Sequence, residues 1–285
     1  MNPPHPEELD RLLSAALEED LGGRGDLTSR LLIPEGTPAR GAVVARRDGI
    51  VSGLEAALRT FELLSGDIVT EPLAKEGAPV KAGQPMARVA GPARALLAGE
   101  RICLNLLGHL SGVATLTRAF VDRVAGTGAE IMDTRKTLPG LRVLEKAAVR
   151  AGGGRNHRRG LYDAVLIKDN HIAVVGSPAQ AVRRVRRGLN ADARIEVEVE
   201  VEIDSVADLE PVIEAGADIV LLDNMPLSHM REAVRRAAGR CLLEASGGIT
   251  LGSVRSVAET GVDRISVGAL THSAPSLDVA LDWGP

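Results

Sequence analysis

The chain has 285 residues, of which 45% are hydrophobic and 25% charged, and its formal net charge is −4. This length allows a substantial core in one large domain or two modest ones. Aromatic residues make up only 1%, which argues against nucleic-acid binding by base stacking. A generic polyanion-binding protein would also carry an overall positive charge, so we expect no nucleic-acid partner.

Cysteine usage and hydropathy predict a cytoplasmic protein without a membrane partner. Cys103 and Cys241 are far apart and lack any paired spacing, which is typical of reduced thiols. The first residues are acidic and contain no apolar signal stretch. The longest apolar region, 102–121, is interrupted by polar residues, so we expect a buried amphipathic helix there rather than a membrane span.

The first part of the chain predicts a mixed α/β domain with little visible chemistry. Apolar residues on one helical face predict a helix over 6–20, and a second helix is expected over 55–64. A glycine-rich loop and a short strand over 42–45 lie between them. The turn-rich segment 76–91 resembles half of a lipoyl or biotinyl hammerhead, but no lysine follows at carrier spacing, so we interpret it as a structural β layer.

After Gly112, apolar strand-like runs alternate with helical segments. Strands are predicted over 131–133, 164–167, 195–203, 219–222, 242–245 and 265–267. Helices are predicted over 179–188, 206–215, 230–238 and 254–259. This alternation indicates a parallel sheet, and its repetition favours a βα barrel over an open sheet. Six strands are visible, so one or two strands of the barrel should be missing or hidden.

The predicted strands end in charged or phosphate-compatible residues, which is where a βα barrel carries its reactive groups. These residues are Asp133-Thr134-Arg135-Lys136, Lys168-Asp169-Asn170-His171, the acidic run Glu196, Glu198, Glu200 and Glu202, then Asp223-Asn224, Glu244-Ala245-Ser246-Gly247-Gly248 and Gly268-Ala269. Each alone also fits a solvated turn or a strand with one wet face. Together those interpretations require six coincidences, so we favour a single site.

The chemistry of these residues points to a phosphorylated sugar. The segment 152–159 is rich in glycine and arginine, and with Arg135, Lys136 and Lys168 it concentrates positive charge in an acidic protein. Arginine pairs well with carboxylates and phosphates. Lys168 directly follows an apolar strand, where burial of its charge is costly, which favours a functional role. Backbone N–H groups after the last two strands suit a phosphate.

Seven ordered motifs resemble the quinolinate phosphoribosyltransferase family. They are Asp-Thr-Arg-Lys-Thr at 133–137, Gly-Gly-Gly-Arg-Asn-His-Arg at 152–158, Ile-Lys-Asp-Asn-His-Ile at 167–172, Glu-Val-Glu at 200–202, Leu-Leu-Asp-Asn at 221–224, Glu-Ala-Ser-Gly-Gly-Ile at 244–249 and Ser-Val-Gly-Ala-Leu-Thr-His at 266–272. The match spans essentially the whole chain, including Glu19-Asp20, Gly25-Asp26-Leu27-Thr28 and Glu100-Arg101. Each fragment alone is a weak signal, whereas the ordered set is specific.

The resemblance implies an α/β fold in two domains. Residues 1–111 are expected to form an N-terminal α/β sandwich domain, and residues 112–271 an incomplete TIM-like βα barrel that carries the phosphoribosyltransferase site. The tail 272–285 is expected to pack with the N-terminal domain.

The resemblance also implies an activity: phosphoribose moves from phosphoribosyl pyrophosphate to quinolinate with Mg²⁺. The products are nicotinate mononucleotide, pyrophosphate and carbon dioxide, a step of de novo NAD synthesis. A homodimer with a site shared between subunits, or a higher oligomer, is expected.

The same resemblance assigns roles to residues. Quinolinate carboxylates would be held by Arg135, Lys136, His157 and Arg158, with Arg101 of the neighbouring subunit, and Thr134 is expected to bind substrate. Lys168 would lie between quinolinate and the pyrophosphate. Glu202 and Asp223 would meet the ribose hydroxyls and Mg²⁺, with Glu202 preferred to Glu200 by its spacing from Asp223. The 5′-phosphate would bind Ser246, Gly247, Gly248, Val267, Gly268 and Ala269. Of these, Lys136, Lys168, Glu202 and Asp223 are the expected catalytic residues.

Other functions remain open at this point. A nicotinate phosphoribosyltransferase would bind a monoacid and need fewer cations around one ring. A paralogue encoded with molybdenum transport and a non-catalytic phosphate-ligand sensor are further alternatives, and a Schiff-base role for Lys168 is a weaker one.

Overall fold

The computed structural model describes residues 6–191 and 197–284, and the chain divides into two compact units. Unit 1 consists of Met1–Arg118, Thr137–Gly153 and Leu270–Pro285, and unit 2 of Ala119–Lys136 and Gly154–Ala269. Ile195 and Glu196, part of a predicted strand, lie outside the described residues.

Helices and strands follow the predicted order. The helices are α1 (Pro6–Leu21), α2 (Leu27–Leu32), α3 (Leu54–Leu64), α4 (Ala93–Val124), α5 (Arg142–Ala151), α6 (Asp169–Val175), α7 (Pro178–Ala191), α8 (Leu209–Glu214), α9 (Leu227–Ala237), α10 (Val254–Ala258) and α11 (Ala269–His272). The strands are β1 (Pro38–Ala45), β2 (Gly49–Ile50), β3 (Val69–Pro72), β4 (Pro79–Val80), β5 (Pro85–Pro92), β6 (Glu130–Met132), β7 (Val165–Ile167), β8 (Val199–Ile203), β9 (Ile219–Asp223), β10 (Leu242–Ser246), β11 (Arg264–Ser266) and β12 (Val279–Gly284).

Unit 1 is built on a four-stranded sheet in the order β12-β1-β5-β3, with antiparallel pairing throughout, and on the small pair β2-β4. Side chains of the sheet and of helices α3 and α4, such as Val43, Phe61 and Leu107, form one buried core. Helix α3 begins after Gly53, whose φ of 76° and close approach to the Leu110 side chain leave no room for a Cβ. The predicted N-terminal helices, the short strand and the β layer over 76–91 are confirmed.

Unit 2 contains a six-stranded parallel sheet in the order β6-β11-β10-β9-β8-β7. Most of its strand residues are buried, as in the apolar run Ile219–Leu222 of β9, which is expected for a parallel sheet covered on both faces. The predicted α/β class with a barrel-like parallel sheet is therefore confirmed. The helix predicted over 206–215 is instead a 3₁₀ turn, Val206–Asp208, followed by α8. Pro211 explains the division, because it lacks the N–H that a continuous helix would use.

One hidden strand of the barrel is reduced to a single residue. Arg155 forms a parallel bridge with Met132 beside β6, where Arg155 N donates to the Ile131 carbonyl (2.8 Å) and Asp133 N to the Arg155 carbonyl (3.1 Å). No strand was predicted over 152–159. Among the described residues, no helix has both the length and the apolar character needed to cross a membrane.

Candidate active site

The strand order of unit 2 brings most of the predicted site residues to one edge of the sheet. Thr134, Arg135 and Lys136 follow β6, and Val267 and Gly268 follow β11, with Ala269 opening α11. Ser246 ends β10, Asp223 ends β9, Glu202 lies near the end of β8, and Lys168 follows β7. Because the carboxyl ends of parallel strands share one edge, these groups lie along the same edge of the sheet.

Asp133 fixes the cationic side of this edge. Its carboxylate is fully buried and accepts from the His157 backbone N–H (2.8 Å) and from the Asn156 side chain (2.6 Å). This ties the segment that carries Arg158 to the end of β6. An acidic residue directly after a buried strand was the signal for Asp133, which sequence reasoning did not assign a role.

Arg158 and Arg135 are close enough to influence one another. Burial lowers the pKa of Arg158, and the positive charge of Arg135 lowers it further. Arg158 Nη1 donates to the Ala164 carbonyl (3.2 Å), whereas its buried Nε has no hydrogen-bond partner among the described residues. Two like charges with an unused buried donor are suited to a multivalent anion.

The His157 ring is neutral in the observed geometry. Its Nδ1 accepts from the Arg158 backbone N–H (2.7 Å), so the proton is on Nε2, which lies 2.9 Å from a Glu200 oxygen. Glu244 lies 3.8 Å from the same nitrogen and is fully buried. These three side chains are arranged closely enough to hold a metal, but Nε2 offers a proton rather than a lone pair. We therefore assign no metal there.

Lys168 and Glu202 form the link between the cationic side and the carboxylate side. Lys168 Nζ lies 2.7 Å from a Glu202 oxygen, and the Lys168 side chain is 47% exposed. The cost of burying a lysine, which the sequence suggested, therefore does not arise. Glu200 and Glu202 lie on the same face of β8, but Glu200 is buried toward His157 whereas Glu202 is nearer the open edge.

Asp223 and the loop after β10 lie side by side, since Asp223 pairs with Ser246 in the parallel register. Gly247 and Gly248 have φ angles of 99° and 60°, conformations that favour glycine. Their backbone N–H groups, with those near Gly268, provide donors of the kind that bind phosphate.

Arg101 lies in unit 1, exposed on α4. With Leu32, Asp26 and Glu100 it lines a cavity of about 380 Å³. The neighbouring helix α2 exposes Leu31 and Leu32 almost completely, at 88% and 76%.

Comparisons with known proteins agree with this geometry. Sequence models of the N-terminal and C-terminal domains of quinolinate phosphoribosyl transferase match residues 26–111 and 113–282. The chain belongs to the quinolinate phosphoribosyl transferase family. It is 46% identical over 272 residues to the nicotinate-nucleotide pyrophosphorylase [carboxylating] of Mycobacterium leprae, covering 94% of each chain.

Two further relatives also match over nearly the full length of both chains. The chain is 44% identical to a probable nicotinate-nucleotide pyrophosphorylase [carboxylating] of Bacillus subtilis, covering 96% of this chain and 93% of that one. The crystal structure of NadC from Streptococcus pyogenes has a TM-score of 0.92 at 38% identity, covering 99% of this chain and 98% of that one. The family's fold and both of its domains are therefore present here.

Proposed function

We propose that this chain transfers phosphoribose from phosphoribosyl pyrophosphate to quinolinate, releasing pyrophosphate and carbon dioxide and forming nicotinate mononucleotide for NAD synthesis. The proposal rests on the order in which three kinds of group follow one another along the edge of the parallel sheet. Arg135 and Arg158 form a cationic side, Glu202 and Asp223 a carboxylate side, and the Ser246–Gly248 loop a phosphate end.

The cationic side suits the two carboxylates of quinolinate. Arg135 and Arg158 provide planar donors, and Lys136 is an exposed cation beside them. Thr134 belongs to the same turn, since its hydroxyl accepts from Lys136 N (3.0 Å). His157 contributes by holding the Arg158 backbone rather than by carrying charge. A monoacid would need fewer of these groups, which disfavours nicotinate as the preferred substrate.

The carboxylate side suits the ribose. Departure of pyrophosphate builds positive charge on the ribose ring, which Glu202 and Asp223 would stabilise electrostatically. Lys168, which contacts Glu202, lies between this side and the cationic side, where it would meet the pyrophosphate. Once the ring nitrogen is ribosylated it is cationic, so the quinolinate ring accepts the electrons released with carbon dioxide. No covalent nucleophile is required, and a Schiff base on Lys168 is not part of this proposal.

Glu202 and Asp223 are also suited to Mg²⁺. Oxygen ligands from only two carboxylates on neighbouring strands are typical of Mg²⁺ that keeps waters and is shared with substrate phosphates. When bound, the ion would neutralise phosphate charge.

The proposal is tested by measuring quinolinate-dependent release of pyrophosphate together with carbon dioxide. We expect equal amounts of both, and little turnover with nicotinic acid in place of quinolinate. Equal rates with nicotinic acid, or pyrophosphate without carbon dioxide, would refute the assignment.

We further propose a homodimer, or a higher assembly built on it, in which Arg101 completes the partner's site. Leu31 and Leu32 support an interface near Arg101, because large exposed apolar patches mark contact surfaces. A cytoplasmic location is proposed from the two free cysteines.

A further inference from the structure

Asn224 has a left-handed backbone conformation, which is uncommon for a residue other than glycine. It directly follows β9, is exposed, and has a φ of 50°. Asparagine tolerates this left-handed region better than most residues. This backbone preference is enough to explain an asparagine at position 224. A role in the site therefore has to be argued from the contacts of its side chain.

The side chain and backbone of Asn224 contact two parts of the site at once. Its amide Nδ2 donates to Asp223 Oδ2 (2.7 Å), and its backbone N–H donates to the Ser246 carbonyl (2.9 Å). Its amide oxygen occupies the space beside Gly247, where a Cβ would lie 2.1 Å away. One residue therefore contacts the Asp223 carboxylate and the phosphate loop together.

We propose that Asn224 is a positioning residue that fixes the Asp223 carboxylate relative to the Ser246–Gly248 loop, and so sets the affinity for a ribose 5-phosphate group. This inference rests on the proposed function for the identity of the ligand. An amide suits the task because it donates to Asp223 while its oxygen packs on glycine. An aspartate of the same shape would place a second carboxylate beside Asp223.

The role of the side chain can be separated from that of the backbone. Asn224→Gly keeps the left-handed conformation and removes both side-chain contacts. Asn224→Asp keeps the shape and removes the donor. Ala238 is the other non-glycine residue with positive φ among the described residues, at 50°, and it lies outside the site at the end of α9. Ala238→Gly is therefore the matched control.

Calorimetric titration of the purified full-length protein with ribose 5-phosphate, with and without Mg²⁺, gives the decisive measurement. We expect Asn224→Gly and Asn224→Asp to raise the Kd about tenfold, as for loss of a hydrogen bond to a charged group. Ala238→Gly should leave it unchanged. Quinolinate affinity and the Tm should stay near wild type in all three variants, which a general structural defect would not allow.

A double-mutant cycle tests the contact with the loop. Gly247→Ala should displace the Asn224 amide and also strain a backbone with a φ of 99°. Removal of the amide in Asn224→Gly relieves the first effect only, so the double variant should lose less affinity than the two separate losses added. Wild-type affinity for ribose 5-phosphate in Asn224→Gly, or no binding by the wild type, would overturn the inference. If quinolinate turnover is absent while Asn224→Gly still weakens ribose 5-phosphate binding, the proposed function fails and this inference stands.

Discussion

The two guanidinium groups of Arg135 and Arg158 dominate the chemistry at the scale of single residues. Burial and the neighbouring positive charge both disfavour the Arg158 cation, which lowers its pKa. A ligand with two carboxylates would place negative charge beside both guanidinium groups and so stabilise their charged forms. The affinity for quinolinate should therefore depend on each of them.

Arg135→Ala should weaken quinolinate binding by about 2–5 kcal/mol, as for truncation of a buried charge partner, with little change in the KM for phosphoribosyl pyrophosphate. Steady-state kinetics with each substrate varied in turn measures the difference. Arg155→Ala is the control, because Arg155 lies in the cationic segment 152–159 with Arg158 but is exposed, and its Nε donates to Glu130 (3.0 Å). Unchanged quinolinate affinity in Arg135→Ala would contradict the carboxylate role.

Single residues were predictable where residue type alone decides the chemistry. The cations and the glycine loops could be named from the sequence because charge and missing Cβ atoms are visible there. The state of His157 could not, since its tautomer depends on one hydrogen bond to the Arg158 backbone. The side-chain contacts of Asn224 likewise depend on which loop lies beside it.

At the scale of elements, β8 and β10 each carry one buried carboxylate. Glu200 and Glu244 are both buried, and Glu244 Oε1 lies 3.8 Å from His157 Nε2. Burial, and then the charge of Glu200, raise the pKa of Glu244 to about 7, whereas the charge of Arg264 acts in the opposite direction. Glu244 is therefore protonated in the folded protein at pH values where an exposed glutamate is ionised.

Glu244→Gln should make the protein more stable than wild type above pH 7 but not at pH 4.5. The folded pKa is raised, so the stability that protonated Glu244 contributes is complete below pH 4.5 and is lost as the pH rises to about 7. Glutamine stays neutral, and the difference should approach on the order of 3 kcal/mol. Urea unfolding at several pH values measures it.

Glu198→Gln is the control for that experiment, since Glu198 directly precedes β8 and its side chain is 58% exposed. It should change stability little at any pH. A Glu244→Gln difference that does not vary with pH would show that Glu244 is not the titrating group.

Elements with strong periodicity were predicted correctly, and the failures have local causes. Apolar runs identified all six strands of the parallel sheet, since burial on both faces leaves a clear pattern. The bridge at Arg155 was missed because a one-residue strand has no periodicity, and its pairing beside Met132 depends on distant contacts. Pro211 marks the division of the helix in the sequence itself, since proline lacks the N–H that a continuous helix needs.

At the scale of the whole molecule, the chain passes between the two units more than once, since Thr137–Gly153 belongs to unit 1 while its flanking segments belong to unit 2. Predicted residues therefore fall in both units, with Arg101 in unit 1 and Lys136 in unit 2. The domains expected from the sequence are consecutive stretches of chain. They do not show that Thr137–Gly153 belongs to unit 1, because contacts rather than sequence order define the units.

Mixing inactive Arg101→Ala with inactive Lys136→Ala should restore activity if each site combines residues from two subunits. Random exchange gives half heterodimers with one intact site each, so roughly a quarter of wild-type activity is expected for a symmetric dimer. The double variant Arg101→Ala/Lys136→Ala mixed with itself should stay inactive. No recovery, with subunit exchange confirmed by mass spectrometry, would count against a shared site.

The pairing of β12 with β1 has a consequence for biosynthesis. Arg40 of β1 lies opposite Gly284 of β12, so one side of β1 has no partner until residues 279–284 have left the ribosome. During translation the edge of this early strand is exposed while the parallel sheet of unit 2 is already complete in sequence. Unpaired strand edges promote aggregation. The first sheet to be synthesised is thus the last to be completed, and β1 remains an edge strand until the final residues are made.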